Sequence, residues 1–544
     1  MPEQSYVHKE LNTKEKMVRG SMWMTIGSIS SRLLGAIYII PWYAWMGENA
    51  KVANALFTKG YNIYALFLMI ATAGIPSAVA KQIAYYNSLN EYQVSKRLFK
   101  RSMFLMGGLG ILFAGIMYFA APLLSGGNKE LIPTMRALSA AVLIFPCMSV
   151  IRGFFQGYQD MLPSAISQVV EQFIRVFYML LATFIIMKVG QGDYVHAVTQ
   201  TTFAAFVGMV GAFGALFWYY KKQGPKMRYL EANSNNQIQV SENSLIKEML
   251  LEAVPFVIVG SGITIFKLVD QATFEWMMRG FTNYSARQLD ELFSIFSANP
   301  DKLTMITISL ATSLAAAGLP LITETFARKN VKELAVQVSD NLQLFFFVMI
   351  PATLGMIVLA RPLNTMFYAP DHLGAAVLVE ACYVGLILGF YMLVSTILQG
   401  LYENNLAMIY LGIGFVVKLV LQYPLIRMFE VYGPLLATGI GFAVTSYLTI
   451  RKVYHITKFK VGFTARRTLL IFLLSLVMML ATIVSKELAY IVLNPDSKSQ
   501  SFVISIFSML VGVAVYGYLT LKVRLADRLL GEKVAKIRRK FRIK

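Results

Sequence analysis

The sequence predicts an all-α polytopic membrane protein of 14 transmembrane helices, built as two parallel-repeat six-helix lobes plus two extra C-terminal helices. Three observations lead there. The 544 residues are 56% hydrophobic and 15% charged, with a mean hydropathy of +0.57, too apolar for a water-soluble chain of this length. Apolar segments of about 20 residues, the length of one helical crossing, recur along nearly the whole chain. Several sequence landmarks recur at a near-constant offset. Helices rather than a barrel follow from the length of the segments, since each crossing must satisfy its own backbone.

Taken in order, the crossings fall near 20–45, 55–80, 102–123, 134–156, 163–187 and 196–219, then, after a polar stretch, near 250–278, 303–325, 341–360, 373–398, 405–427, 432–450, 468–490 and 501–521. The expected organisation is an N-terminal segment 1–19, an N-lobe 20–220, an interlobe linker 221–248, a C-lobe 249–455, an appended pair 456–521 and a basic tail 522–544. The first apolar stretch, Gly20 to Tyr43, is far longer than a signal-peptide core and no small-residue cleavage pattern follows it, so it is expected to remain as a helix. An even number of crossings puts both termini on one side. Most of the 50 Lys and Arg fall on that side, which the positive-inside rule makes cytoplasmic. The net charge of +21 is therefore a topology signal and not a nucleic-acid surface. The tail's Arg538, Arg539, Lys540 and Arg542 read as an anchor on anionic lipid.

The repeat rests on two landmarks. Phe155-Gln156-Gly157 and Leu398-Gln399-Gly400 each end an apolar segment, at an offset of 243 that also sets Arg175 opposite Lys418. Ala73-Gly74-Ile75-Pro76 and Ala317-Gly318-Leu319-Pro320 match at an offset of 244. Ala121-Pro122-Leu123 against Arg361-Pro362-Leu363 gives 240, a drift that small loop insertions explain. A shift of six crossings keeps the direction of insertion, so the repeat is parallel and its axis runs along the membrane normal. Substrate sites of repeat-built transporters tend to lie near the midplane, where Arg175 and Lys418 are expected.

Four cations, Arg32, Arg175, Lys267 and Lys418, fall deep inside separate apolar segments, where a charge costs roughly 2.5–3.5 kcal/mol on insertion scales. Glu171 precedes Arg175 by four residues, with Gln168 and Gln172 as polar neighbours; the pair either neutralises itself and fixes packing or belongs to a site. Lys418 has Gly414 where the repeat would place an acid, so its partner must come from another helix, water or a ligand. Arg32 has no nearby carboxylate, and the small-residue spacing Gly27, Ser31, Gly35 leaves it facing either a close helix contact or a wet cavity. Lys267 has Asp270 three residues on, which reads as a local salt bridge or as a proton or cation relay. Lys59, near the start of its segment, either snorkels to the interface or joins Arg32, Arg175, Lys267 and Lys418 as a substrate-binding cavity cation, and Glu275 is similarly near an end. The deep groups leave a positive surplus, which suits a phosphate-bearing substrate and repels organic cations.

Other chemistries leave no mark. There is no GxxxxGK[ST] loop and no HExxH, and His8, His196, His372 and His455 have no nucleophile or acid at catalytic spacing, so an enzyme, a nucleotide hydrolase and a metal site are not indicated. Cys147 and Cys382, in apolar stretches without CxxC spacing, read as packing thiols. No cofactor is expected beyond the membrane potential or a coupling cation.

Ser31-Arg32-Leu33-Leu34-Gly35, the run Thr72-Ala73-Gly74-Ile75-Pro76-Ser77-Ala78-Val79-Ala80-Lys81, and Arg152-Gly153-Phe154-Phe155-Gln156-Gly157 with Glu171, Gln172 and Arg175 resemble the polysaccharide and lipid II flippase branch of the MOP exporter superfamily. The likeness is to its YtgP and MurJ-like members, with the sporulation protein SpoVB as a cousin, and covers almost the whole chain. It implies a bacterial cytoplasmic membrane protein whose two lobes open alternately, with a cationic cavity for the pyrophosphate and sugars of lipid II and a groove on the last two helices for the polyprenyl tail. It also implies an essential arginine at Arg32. The chain departs from Gram-negative members at Tyr38 and across Tyr64-Ala65-Leu66-Phe67, where they carry arginine, so the other cavity contacts rest on burial and charge.

The expected partners are therefore an anionic polyprenyl-pyrophosphate lipid, membrane lipids and cell-wall synthesis proteins, with no nucleic acid. The same features fit a flippase for another polyprenyl-linked glycan, such as a capsule, teichoic or exopolysaccharide precursor. A multidrug or cation antiporter calls for acidic rather than basic cavity residues, and a non-transporting cell-wall scaffold would make the buried cations structural. A major-facilitator transporter also has two six-helix halves, but the loop Tyr85 to Arg101 lacks that family's Gly-rich Asp-Arg motif.

Overall fold

The structure, a computed structural model, describes residues 30, 31, 34, 35, 37–72, 75–235, 242–316, 318–530, 534 and 538. Among these there is no strand. The helices are α1 (Ile39–Met46), α2 (Ala50–Thr72), α3 (Ile75–Ser88), α4 (Tyr92–Phe119), α5 (Ala121–Leu124), α6 (Leu131–Gly157), α7 (Leu162–Phe184), α8 (Tyr194–Ala232), α9 (Glu242–Arg279), α10 (Ala286–Phe293), α11 (Asn299–Ala316), α12 (Leu319–Ala327), α13 (Val331–Val358), α14 (Ala360–Phe367), α15 (His372–Gly400), α16 (Asn404–Phe429), α17 (Gly433–Thr457), α18 (Val461–Val492), α19 (Lys498–Lys522) and α20 (Leu525–Leu530).

Ten stretches among the described residues are long and apolar enough to cross a membrane, one of which, Asn404–Thr457, holds both α16 and α17 around the single turn Glu430–Tyr432. The chain is a multi-pass membrane protein. Of the expected crossings outside these stretches, the first falls largely beyond the described residues. The second and eighth begin in α2 and α11, which carry Lys59, Asp301 and Lys302, charges that lower their hydropathy.

Local structure repeats with the sequence. At the two Gln-Gly landmarks the closures coincide: Gln159 N donates to Gln156 O at 2.9 Å and Asp160 N to Phe155 O at 3.0 Å, as Tyr402 N does to Gln399 O at 3.0 Å and Glu403 N to Leu398 O at 3.2 Å. Gln159 and Tyr402 both take left-handed backbone, φ 60° and 62°, and so do Asn90 and Lys329 in the preceding turn, φ 59° and 57°. The orphan carbonyls of each helix end are thus satisfied by one reused turn.

By packing, the described residues fall into two compact units, one within Met1–Gly35 and Gly60–Val257, the other within Ala36–Lys59 and Ile258–Lys544. In the first, α4, α6 and α8 pack together, as do α7 and α8. The stretch expected as linker from 221 is helical as far as Ala232, where α8 ends. Its end is tied to the α3–α4 turn: Asn235 N donates to Asn90 O at 3.0 Å and Asn90 Nδ2 to Asn233 O at 3.1 Å.

In the second unit the segment that the repeat counts with the N-lobe is held by polar ties. Lys51 pairs with Asp371 at 2.6 Å, Asn54 Nδ2 donates to Asn299 Oδ1 at 2.7 Å, and Tyr43 meets Tyr368 edge-on at 5.3 Å between centroids. Asp371 caps α15 through the Leu373 and Gly374 amides. Burial works against its charge, but Lys51 and those amides hold the carboxyl below the ordinary carboxylate range. The appended α18 packs on α13 through Ile471, Leu474, Phe347 and Ile350 and turns Leu480, Val484, Leu488 and Ile491 outward, while α19 reaches α13 through Tyr516, which donates to Phe347 O at 2.8 Å.

α16 and α17 cross backbone to backbone at Gly414 and Gly441. A Cβ on Gly414 would run into Thr445 Oγ1 and Gly441 O, and one on Gly441 would stand 2.7 Å from Gly414 O. Glycine therefore stands at 414 for packing, which explains why the repeat has no acid there. Gly414→Val is expected to destabilise the unit by about 1–3 kcal/mol or more by overpacking, read as a lowered thermal midpoint in detergent.

Candidate functional site

Lys418 lies on α16 one turn beyond the Gly414 crossing and is fully buried. Its Nζ meets Asp270 Oδ1 of α9 at 2.8 Å and donates to Thr438 Oγ1 of α17 at 2.6 Å. Gln422 Nε2 donates to the same carboxylate oxygen at 2.8 Å, Thr438 Oγ1 to Oδ2 at 3.4 Å, and the Phe266 ring stands 5.2 Å from Nζ. Of the alternatives open for Lys418, another helix, water or a ligand, the structure shows the first, with Asp270 as the partner. The charge is therefore neutralised inside a closed network, where burying an ion pair requires its lone pairs and protons to be satisfied. The side-chain exposures, 0% for Lys418 and 7% for Asp270, leave no room for a large anion.

The local Lys267–Asp270 bridge is corrected accordingly. Lys267 instead pairs with Asp301 of α11 at 2.5 Å, and both side chains keep contact with solvent, at 24% and 35% exposure. The two ion pairs share the wall of one small cavity of about 50 Å³, lined by Lys267, Asp270, Asp301 and Thr438 with apolar Val384 and Leu388.

Lys59 does not snorkel. α2 begins at Ala50 rather than near 55, so Lys59 stands well inside the helix, 8% exposed. It pairs with Asp290 at 2.5 Å and lies 5.2 Å from the Phe293 ring centroid, with Glu275 at 4.0 Å. Asp290 belongs to α10, whose start carries a capping box of Ser285 and Gln288. That Ser-x-x-Gln spacing was the available signal for an ordered helix in a stretch read as a loop. Lys302 was missed for a related reason. With α11 starting at Asn299 it is inside the helix, donating to Asn54 Oδ1 at 2.6 Å within reach of the Tyr38, Trp42 and Phe57 rings at 5.8, 5.9 and 5.3 Å.

In the first unit the expected Glu171–Arg175 pair gives way to another. Glu171 accepts from Arg152 Nη2 at 2.8 Å, and Arg152 Nε donates to Ser167 Oγ at 2.9 Å. Arg175 lies over the Tyr61 ring at 5.0 Å, in turn edge-on to Tyr64 at 5.1 Å. In the second unit Lys59, Lys267 and Lys418 each have an acid. Gln168 and Gln172 are half-buried on α7; the amide of Gln172 lies 3.2 Å from where a Cβ on Gly35 would stand, so Gly35 serves a close approach. Arg32 lies outside the described residues.

The sequence profile of the polysaccharide biosynthesis protein family matches residues 17–326, and that of MatE matches 301–424. The chain is 34% identical over 543 residues to lipid II flippase MurJ of Bacillus subtilis (strain 168), covering 97% of this chain and 99% of that protein. It is 23% identical to stage V sporulation protein B of the same organism over 82% of this chain and 85% of that protein. In fold it is similar to a lipid II flippase MurJ in an inward closed conformation, at a TM-score of 0.58 and 14% identity, covering 92% of this chain and 99% of the other. The match over most of its length, together with the near full-length relative, establishes that this chain belongs to the polysaccharide biosynthesis protein family and is a relative of the MurJ lipid II flippases.

Proposed function

We propose that the chain is a flippase that moves lipid II, the undecaprenyl-pyrophosphate-linked peptidoglycan precursor, from the inner to the outer leaflet of the bacterial cytoplasmic membrane by alternating access. The observation that carries this reading is the identity of 34% spread over 99% of a lipid II flippase's length, last two helices included. It makes the chain a transporter rather than an enzyme.

The architecture proposed with it is fourteen crossings, two six-helix lobes in parallel repeat with the linker between them, the α18–α19 pair as the lipid-tail groove, and both termini in the cytoplasm with the basic tail. The reused turns at Gln156 and Gln399 support the repeat. Cell-wall synthesis proteins are proposed as partners.

For the pyrophosphate, Arg32 and Arg175 are the leading contacts. Arg175 supports this because it is half-buried on the α7 face that carries Gln168 and Gln172, with its guanidinium over the Tyr61 ring. Its guanidinium, fixed by a ring face, keeps N–H donors in the geometry that suits phosphate oxygens. Lys267, only partly buried, is proposed as a secondary contact that exchanges Asp301 for the substrate; Gln168 and Gln172 are proposed as hydrogen-bonding partners for the head group. Lys59 and Lys418, with Glu171 and Asp270, are reassigned to holding the fold. An inside-negative potential drives an anion outward by roughly 2.3 kcal/mol per charge per 100 mV, so no nucleotide is required.

Expression of Arg32→Ala in a flippase-depleted bacterium is expected to give no growth rescue although the protein reaches the membrane, and lipid II accumulates in the inner leaflet. Wild-type growth of that strain would overturn the reading. Accumulation of a different polyprenyl-linked glycan would transfer it to that substrate.

A further inference from the structure

We propose that Glu380 is a proton-binding site, and that a proton moves inward as the lipid-linked anion moves outward; this rests on the transport reading and adds a coupling ion to it. Glu380 lies on α15 eight residues past its first residue, about 12 Å along the helix at 1.5 Å per residue, within a stretch apolar enough to cross the membrane. Both carboxyl oxygens are buried, and neither has a hydrogen-bond partner among the described residues. One turn to either side, Val377 and Val384 are buried apolar residues.

The other deep acids of this unit are different. Asp270 has Lys418, Asp290 has Lys59, and Asp301 has Lys267. Of the elements packed on α15, the turn Glu430–Tyr432 brings a titratable group to Glu380, the Tyr432 hydroxyl. The charges of the other packed elements are engaged elsewhere or exposed: Asp301 with Lys267, Lys418 with Asp270, Lys302 with Asn54, Arg361 with Asp496 and Lys452 with Glu403, while Arg427 is exposed. Among the described residues no cation pairs with Glu380.

An ionised carboxylate stripped of water and partners is strongly disfavoured, so the carboxyl in this setting is the neutral acid. Binding adds one proton to one carboxylate oxygen. Admission of water to the helix face restores hydration of the carboxylate and releases the same proton, with no other bond made or broken. A group that is dry in one state and wet in another exchanges protons with different sides of the membrane if those states open to different sides. Ala381 and Val384, beside it in the helix, already line the cavity that holds Lys267 and Asp301. Water entering there would have a short distance to travel.

The test has two readouts on the purified full-length chain. Infrared difference spectra across a pH titration are expected to show the carbonyl stretch of a protonated carboxyl that disappears in Glu380→Gln and shifts in Glu380→Asp; spectra unchanged by both substitutions would overturn the site. In proteoliposomes of anionic lipid with fluorescent lipid II, each unit of pH gradient, acid outside, is expected to raise the attainable outer-to-inner ratio about tenfold for one proton per cycle. Glu380→Gln is expected to remove that dependence. A gradient response equal in the variant and the parent would overturn the coupling, whereas lipid II movement absent from both would overturn the transport reading and leave the infrared result to decide the site.

Discussion

Replacing Lys418 with methionine is expected to cost about 3–5 kcal/mol of stability, because it leaves the Asp270 carboxylate buried without its counter-charge. Asp270 would keep Gln422 and Thr438 as neutral neighbours, which cannot compensate a whole charge in a site this dry. The double variant Lys418→Met with Asp270→Leu should recover most of the loss, since a buried pair exchanged for apolar residues of similar volume is often neutral or stabilising. Thermal unfolding in detergent of the two single variants and the double gives the coupling directly. Independent, additive losses would show that the pair is not the structural unit proposed. A substrate contact at Lys418 would instead leave stability little changed and remove transport.

Arg175→Gln should show the reverse pattern. Among the contacts it loses is a cation over the Tyr61 ring, worth about 0.5–2 kcal/mol, and the variant is expected to fold and insert. Lipid II movement is expected to fall about tenfold or more, since a lost charged hydrogen bond contributes roughly 1.5–3 kcal/mol. Arg152→Gln is the control on the same helix pair: it strips Glu171 of its partner and is expected to destabilise the unit more than Arg175→Gln does. Equal transport in Arg175→Gln and wild type would remove Arg175 from the cargo path.

These contrasts show what was legible in the sequence. The helical character, the near-full-length apolar segments and the offset of 243–244 were readable because they depend on composition and local turn chemistry, and the turns at Gln156 and Gln399 close with the same hydrogen bonds. The depth of a charge was harder to read. Lys59 and Lys302 were misplaced because α2 and α11 begin four or five residues earlier than hydropathy suggested, the first turns being polar.

The partners of the charges were not legible at all from one helix. Glu171 prefers Arg152, nineteen residues away, to Arg175, and Lys418 finds Asp270 at a separation of 148. An i,i+4 spacing makes a pair available, but tertiary packing decides which available pair forms. The count of deep charges left out Arg152 in the first unit and, in the second, the acids Asp290 and Asp301, which lie in a stretch read as loop. The absence of an acid at 414, read as leaving Lys418 unrelieved, has a packing cause in the Gly414–Gly441 crossing.

The central claim is that arginine in this scaffold carries a pyrophosphate-bearing lipid across the bilayer. Its most direct measurement is the movement of fluorescent lipid II between leaflets of proteoliposomes that hold the purified chain, without nucleotide and with an imposed membrane potential. Movement faster than in protein-free vesicles is expected for the wild type, and movement at the protein-free rate for Arg32→Ala. Wild-type vesicles no faster than empty ones, or Arg32→Ala as fast as the wild type, would contradict it.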